Sequence, residues 1–310
     1  MPIIKDEVQV LRVFEQGNTS QVLVLLGRRL GQLRVLAKGA RRQQRKGFEG
    51  GFDLLARGQM LAYPRRDETL WIFKEWDERR HPRGFGGSLE RLDSASFLCE
   101  LAEALTRETA GNEHEVAPAE HAALFEVLAE SAAALEALPE GALYGPILLR
   151  FALRALDTVG LLPNLVRCSR CERGLLGGHR AIKRVRLDFE GLACPDCLAD
   201  EALERLPGRG PAPWSQKKLL PLTRSMRDET AGTARCVWLS PEALGALDYV
   251  QRTGKEVKLS GPAALACART LLLLVHTALE RDLRTLRAAA REVLRLGPHE
   301  KQRQPVAQRQ

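Results

Sequence analysis

Two cysteine pairs, Cys168-x-x-Cys171 and Cys194-x-x-Cys197, separated by 22 residues, restrict this chain more than any other feature. Each two-residue spacing lets a tight turn aim both thiolates at one point, and two such knuckles at this separation close a tetrahedral sulfur site suited to zinc. Four sulfur ligands leave no open coordination position for water, so the site is expected to be structural and to pin a loop. Disulfides are the competing use of the same residues. A reduced compartment disfavours them, and a redox motif needs only one such pair. Cys99, Cys236 and Cys267 lie in apolar helical or strand-like surroundings and are expected to be small buried hydrophobes.

The N-terminal part has a different period. Residues 8–14 (VQVLRVF), 20–26 (SQVLVLL) and 32–37 (QLRVLA) are short β-prone runs separated by the Gly-bearing turns QGNTS and GRRLGQ. Two further strands are expected around 52–61 and at 69–75 (TLWIFKE), with Pro64 and Asp67 in the turn between them. Five short strands are safest with their edges hidden, which predicts a small closed barrel of the oligonucleotide-binding or the SH3-like kind. Alternation puts Trp71 and Phe73 on one face, and Trp71 is expected in the core.

From residue 88 the spacing turns helical: Ser88 to Thr109, Ala119 to Leu138, and a third helix in YGPILLRFALRALDTVG, with Pro146 in its first turn and Gly160 at its end. Residues 167–197 read as a cysteine-bearing loop region and 206–216 (LPGRGPAPWSQ) as a linker or excursion. Ser240-Pro241-Glu242 starts another helix, and 261–296 reads as one long helix or two in succession. The sequence thus predicts an α+β, multidomain chain: a barrel over 1–83, helices over 84–166, the zinc-binding module over 167–200, and a second helical part with a basic tail over 201–310.

Charge is segregated along this plan. Residues 1–84 carry 17 Lys and Arg against 10 acids, residues 85–166 carry 4 against 13, and residues 167–310 carry 26 against 16. Two basic segments flanking an acidic one point to a polyanion partner, nucleic acid before membrane. The densest run, from Arg28 to Phe48, holds Arg28, Arg29, Arg34, Lys38, Arg41, Arg42, Arg45 and Lys46 and no acid. Arginine forks suit phosphate oxygens, and a positive hook at the end of a barrel strand is the kind of surface that tracks a nucleic-acid backbone without reading its bases. Between the knuckles Arg180, Lys183, Arg184 and Arg186, flanked by Arg167, Arg170 and Arg173, offer a second basic surface.

No phosphate loop, zinc-protease motif or serine elbow is present, so the expectation is a protein that is not an enzyme and has no small-molecule substrate. No secretory leader is read at the N-terminus, and the apolar LLLLVHT at 271–277 is short and bounded by Arg269 and Glu280, as in a buried helix face; a cytoplasmic, nucleoid-associated protein with no membrane partner is expected. On residues alone, a zinc-ribbon adaptor that grips RNA or ribosomal components is the alternative.

Three stretches in order, VLRVFEQGNTSQVLVLLGRRLGQLRVLAKGARR, ILLRFALRALDTVGLLPNLVRCSRC and FEGLACPDC, resemble the RecO family of bacterial recombination mediators over nearly the whole length. The resemblance implies an OB-fold barrel followed by a helical domain carrying a zinc-binding module, and no enzymatic activity. It implies binding of single- and double-stranded DNA, annealing of complementary strands, and work with RecR to place RecA on DNA coated by single-strand-binding protein. By the motif match, Lys38, Arg41 and Arg42 take the DNA-contact role, and Cys168, Cys171, Cys194 and Cys197 the zinc role. The stretch 207–235 and the tail beyond about 297 are longer than the family's usual form.

Overall fold

Strict alternation of inward and outward side chains builds the first five elements. A computed structural model describes residues 3–41, 52–64, 70–82, 85, 88–108, 118–139, 141–176, 184–188, 190–204, 236–279, 281 and 283–297. Strands β1 (Ile4–Gln16), β2 (Ser20–Gly27), β3 (Gly31–Ala37), β4 (Arg57–Tyr63) and β5 (Leu70–Arg80) form a closed barrel in the order β1-β2-β3-β5-β4. A simple meander would set β4 beside β3. Here β5 lies there instead, parallel to β3, and β4 closes antiparallel onto β1. That Greek-key order selects the oligonucleotide-binding barrel over the SH3-like one.

β1 serves two partners. Its first half pairs with β4 and its second with β2, and a bulge between Val10 and Arg12 lets it turn the corner. The strand begins four residues earlier than its apolar run because polar Lys5, Asp6 and Glu7 mask that half. The barrel interior holds Val8, Val10, Leu23, Leu25, Leu33, Val35, Met60, Ala62 and Phe73. The expected strand at 52–61 begins only at Arg57. Before it, Leu55 has φ 66°, and Phe52 turns into the core, edge-on to Phe73 at 5.2 Å and to Trp76 at 5.4 Å. Trp71 packs against the same core.

Helices α1 (Leu89–Glu108), α2 (Pro118–Ala137) and α3 (Gly145–Thr158) follow. Ser88 caps α1, its Oγ accepting the N–H of Arg91 at 3.4 Å. Phe97, Leu98, Leu101, Leu124, Phe125, Leu128, Leu148, Phe151 and Leu156 are their buried face. α1 contacts β1, β2 and β3, and α2 contacts β2 and β3. This explains why Val24 and Leu26, on the outward side of β2, are as buried as the barrel interior. The hairpin between β2 and β3 comes close to α2: a side chain at Gly31 (φ +67°) would meet the His121 ring at 2.5 Å.

The chain forms two compact units, residues 1–162 with 274–289, and residues 163–273 with 290–310. In the second lie β6 (Val185–Asp188), β7 (Gly191–Ala193) and β8 (Val237–Leu239), paired in the order β7-β6-β8. It also contains α4 (Pro195–Glu204) and α5 (Pro241–Thr253), the latter capped by Ser240 and closed by Gly254. The stretch 261–296 divides into α6 (Gly261–Leu279) and α7 (Leu286–Leu294). Ahead of α7 the carboxylate of Glu100 accepts the amides of Arg284 and Thr285, both at 3.0 Å, and the Thr285 hydroxyl at 2.7 Å. α6 is long and apolar enough to cross a membrane, but 67 % of its apolar window is buried within the protein, as in a core helix. Cys99 and Cys267 are buried as expected; Cys236 is exposed, because it precedes the short strand β8 rather than lying within a packed element.

Candidate metal centre and nucleic-acid surface

The cysteine module is assembled from two turns that hold each other. In the first knuckle the amide of Cys168 bonds the carbonyl of Arg173 at 2.9 Å, and that of Glu172, itself at φ 58°, returns to the carbonyl of Cys168 at 3.0 Å. In the second, Cys194 ends the β6–β7 hairpin and Cys197 lies in the first turn of α4, whose Leu198 amide reaches the Cys194 carbonyl at 3.1 Å. The amide of Ser169 donates to the carbonyl of Leu192 at 2.7 Å, and the amide of Cys194 to the sulfur of Cys168 at 3.4 Å. The region expected as loop is therefore tied to a three-stranded sheet, whose third strand comes from residues 237–239.

All four sulfurs lie within 4.8 Å of one another. Cys171 and Cys194 are 3.7 Å apart and Cys168 and Cys197 4.0 Å. A tetrahedron with metal–sulfur bonds of about 2.3 Å has edges of about 3.8 Å, so the cluster can hold a metal ion. Burial pushes the Cys168 thiol up, but the amides of Cys171, Cys194 and Arg170 and the Cys171 thiol outweigh it and bring the group down to about 6. Hydrogen bonding with the thiols of Cys194 and Cys171, with burial added, raises Cys197 to about 12. One sulfur thus ionises before its neighbour, and an arriving cation displaces the remaining protons.

The module's arginines largely answer acids of the module itself. Arg173 pairs with Asp196 across the two knuckles, Arg170 with Glu190 at 3.9 Å, and Arg186 with Asp188 at 3.1 Å. Arg184 is exposed, whereas Arg180 and Lys183 lie outside the described residues.

The barrel separates the basic hook into two groups. Arg28 and Arg29 occupy the β2–β3 hairpin, and both are engaged there. Arg28 bonds Glu126 of α2 at 2.8 Å and Glu7 at 3.3 Å, and Arg29 bonds Asp6 at 3.3 Å. Asp6, 2 % exposed, also accepts the turn amides of Arg29 at 3.1 Å and Leu30 at 3.0 Å. Arg34 stands exposed on the outward side of β3. Lys38 and Arg41 follow the far end of that strand, beside the β1–β2 turn: the Gly39 amide bonds Ser20 Oγ at 3.2 Å, the Arg41 amide the Thr19 carbonyl at 3.1 Å, and the Arg41 guanidinium Glu15 at 2.8 Å. Arg42, Arg45 and Lys46 lie outside the described residues. An open groove of about 650 Å³ runs here, with Gly17, Thr19, Leu36, Lys38 and Gly39 in its walls. Because α1 and α2 cover the hairpin half of the β2–β3 face, the uncovered half is the one that ends in Lys38.

Comparison with known proteins follows the same outline. The family described as "Recombination protein O C terminal" matches residues 86–209. The chain is 32 % identical over 210 residues to the DNA repair protein RecO of Anaeromyxobacter sp. (strain Fw109-5), a match covering 66 % of this chain and 72 % of that protein. It is 30 % identical over 195 residues to the DNA repair protein RecO of Rhodopirellula baltica, covering 62 % and 66 % respectively. With the protein of the same name from Nocardioides sp. the identity is 26 % over 271 residues, covering 81 % of this chain and all of the relative.

Proposed function

The chain belongs to the RecO family of DNA repair proteins, and on that premise we propose that it is a DNA-binding recombination mediator. In this reading it binds single- and double-stranded DNA, anneals complementary strands and, with RecR, helps load RecA onto DNA coated by single-strand-binding protein. It acts in the cytoplasm at the nucleoid, without chemistry of its own. The OB-fold barrel over 1–83 is the DNA-binding domain, and zinc at Cys168, Cys171, Cys194 and Cys197 is structural.

The observation that carries the proposal is the groove beside the β1–β2 turn, edged by Lys38, with Arg34 exposed on the strand that leads to it and Arg41 exposed three residues after Lys38. Annealing requires screening two polyanions from each other. A cationic groove does so by releasing counterions from phosphates, a grip without sequence preference. Arg28 and Arg29 belong to the same basic run, yet their carboxylate partners give them a second duty in holding the hairpin to the barrel and to α2.

The test is an annealing assay with complementary oligonucleotides, with and without single-strand-binding protein. The protein is expected to accelerate pairing in both arms. Reversing Lys38, Arg41 and Arg42 together should abolish most binding and lower the log–log salt slope for a single strand by about 2, at about 0.7 per phosphate contact. Unchanged binding in that triple variant refutes the barrel as the DNA site. Tighter binding of structured RNA than of single-stranded DNA would favour the RNA adaptor instead.

A further inference from the structure

Phe14 is 46 % exposed, an unusual position for a phenylalanine on a barrel that spends Phe52, Trp71, Phe73 and Trp76 on its core. Its neighbour Val13 points inward, so alternation turns Phe14 out. The register sets it opposite Val22 of β2, which stands opposite Leu36 of β3, which stands opposite Ile72 of β5, itself opposite Tyr63 of β4. The inward partners of that series, Val13, Leu23, Val35 and Ala62, all belong to or pack on the barrel core. Phe14, Val22 and Leu36 therefore make an outward apolar row across three strands, and it continues toward Ile72 and Tyr63.

The row is bordered by cations. Arg34, two residues before Leu36, is exposed on one side, and Lys38, two residues after it, edges the groove on the other. The guanidinium of Arg12 sits 5.7 Å from the Phe14 ring centroid and bonds Glu103 at 2.8 Å, which steadies the ring from one side. An apolar strip between positive edges fits a chain that is apolar along one side and anionic along the other.

We propose that this row is a stacking platform for the unpaired bases of single-stranded DNA, with Phe14 as its principal ring and Arg34 and Lys38 holding the adjoining phosphates. The proposal rests on the DNA-binding reading above and adds to it a reason to discriminate between strand states. Bases in a duplex are stacked on each other and cannot lie on the row, whereas phosphates are available in both forms. Base–aromatic stacking is tolerant of sequence, as a protein that handles any exposed strand requires.

The experiment compares the full chain and its variants by fluorescence anisotropy on three probes: a labelled single strand, the blunt duplex of the same sequence, and an abasic strand of equal length. Phe14→Ala is expected to weaken the single strand on the order of tenfold and to leave the duplex and the abasic strand within about twofold. Phe14→Trp should keep single-strand affinity, with its emission quenched on binding. Equal losses on all three probes, or an unchanged single-strand affinity in Phe14→Ala, overturn the platform while leaving phosphate binding in place. A wild-type chain that binds none of the probes at low salt overturns the underlying DNA-binding reading instead.

Discussion

Replacing Asp6 by alanine isolates what the hairpin arginines do for the fold. The carboxylate is buried at 2 % exposure, and its Oδ2 accepts two backbone amides of the β2–β3 turn, from Arg29 at 3.1 Å and Leu30 at 3.0 Å. Hydrogen bonds to a charged acceptor contribute about 1.5–3 kcal/mol each. The turn lies at the barrel rim, where water regains part of that, so the low end applies and the two together come to about 3 kcal/mol. The Arg29 side-chain pair, with 70 % of the arginine exposed, adds little more. A unit of this size shifts by about 2–4 °C per kcal/mol, so Asp6→Ala should lower the melting temperature of the barrel-bearing unit by about 6–12 °C. Asp6→Asn keeps one acceptor and should lose roughly half as much. Circular dichroism melts measure both. DNA affinity should hardly move, because Lys38 follows the other end of a seven-residue strand about 20 Å long. A melt of Asp6→Ala within about 2 °C of wild type, or a loss of affinity as large as that of the triple reversal of Lys38, Arg41 and Arg42, would refute the division of the basic run into structural and binding halves.

Two further outcomes are expected. Native mass spectrometry should find one zinc per chain, and Cys194→Ala should remove it and raise amide exchange over residues 185–198, because the metal holds the two knuckles and the sheet hairpin between them; retained zinc would refute the four-sulfur site. His121 is held below its usual value by burial against the β2–β3 hairpin, an effect that Glu120 opposes. The unfolded chain then takes up the proton first as pH falls through about 6.5, so urea titrations should show the wild type losing stability toward acid relative to His121→Gln, and an equal loss in both would refute that linkage.

What could be read from the chain alone divides along physical lines. Alternation over 20–26 and 32–37, helical spacing from Ser88 onward and the capping signal at Ser240 are local signals, and the elements lie where those signals put them. The first half of β1 was hidden because Asp6 is a buried polar group whose partners, the amides of residues 29 and 30, are distant in sequence. The pairing of β8 with β6 joins residues on either side of 205–235, and nothing within a three-residue run such as Val237–Leu239 marks it as a strand. The break between α6 and α7 has no glycine or proline; what terminates the periodicity is Glu100, 184 residues from the amide it accepts at Arg284.

The candidate site shows the same limit more sharply. Composition located the positive run, but it could not separate Arg28 and Arg29, whose partners Asp6, Glu7 and Glu126 come from β1 and α2, from Lys38 and Arg41 at the other end of the strand. Among the aromatic residues near the hook, Phe52, Trp71, Phe73 and Trp76 pack in or against the barrel core. Phe14 lies outside that neighbourhood in sequence and comes into line with Val22 and Leu36 only through the strand register. A signal for it was present in the alternation Val13-Phe14, but which of two adjacent apolar residues faces out depends on the bulge at Val10–Arg12, where the inward series moves from even to odd positions. That one irregularity lets Val10 and Val13 both face inward with Leu11 between them; deleting Leu11 removes the extra residue yet keeps Phe14 opposite Val22, so a preference for unpaired strands should survive the deletion, and its loss in a folded variant would refute the register argument.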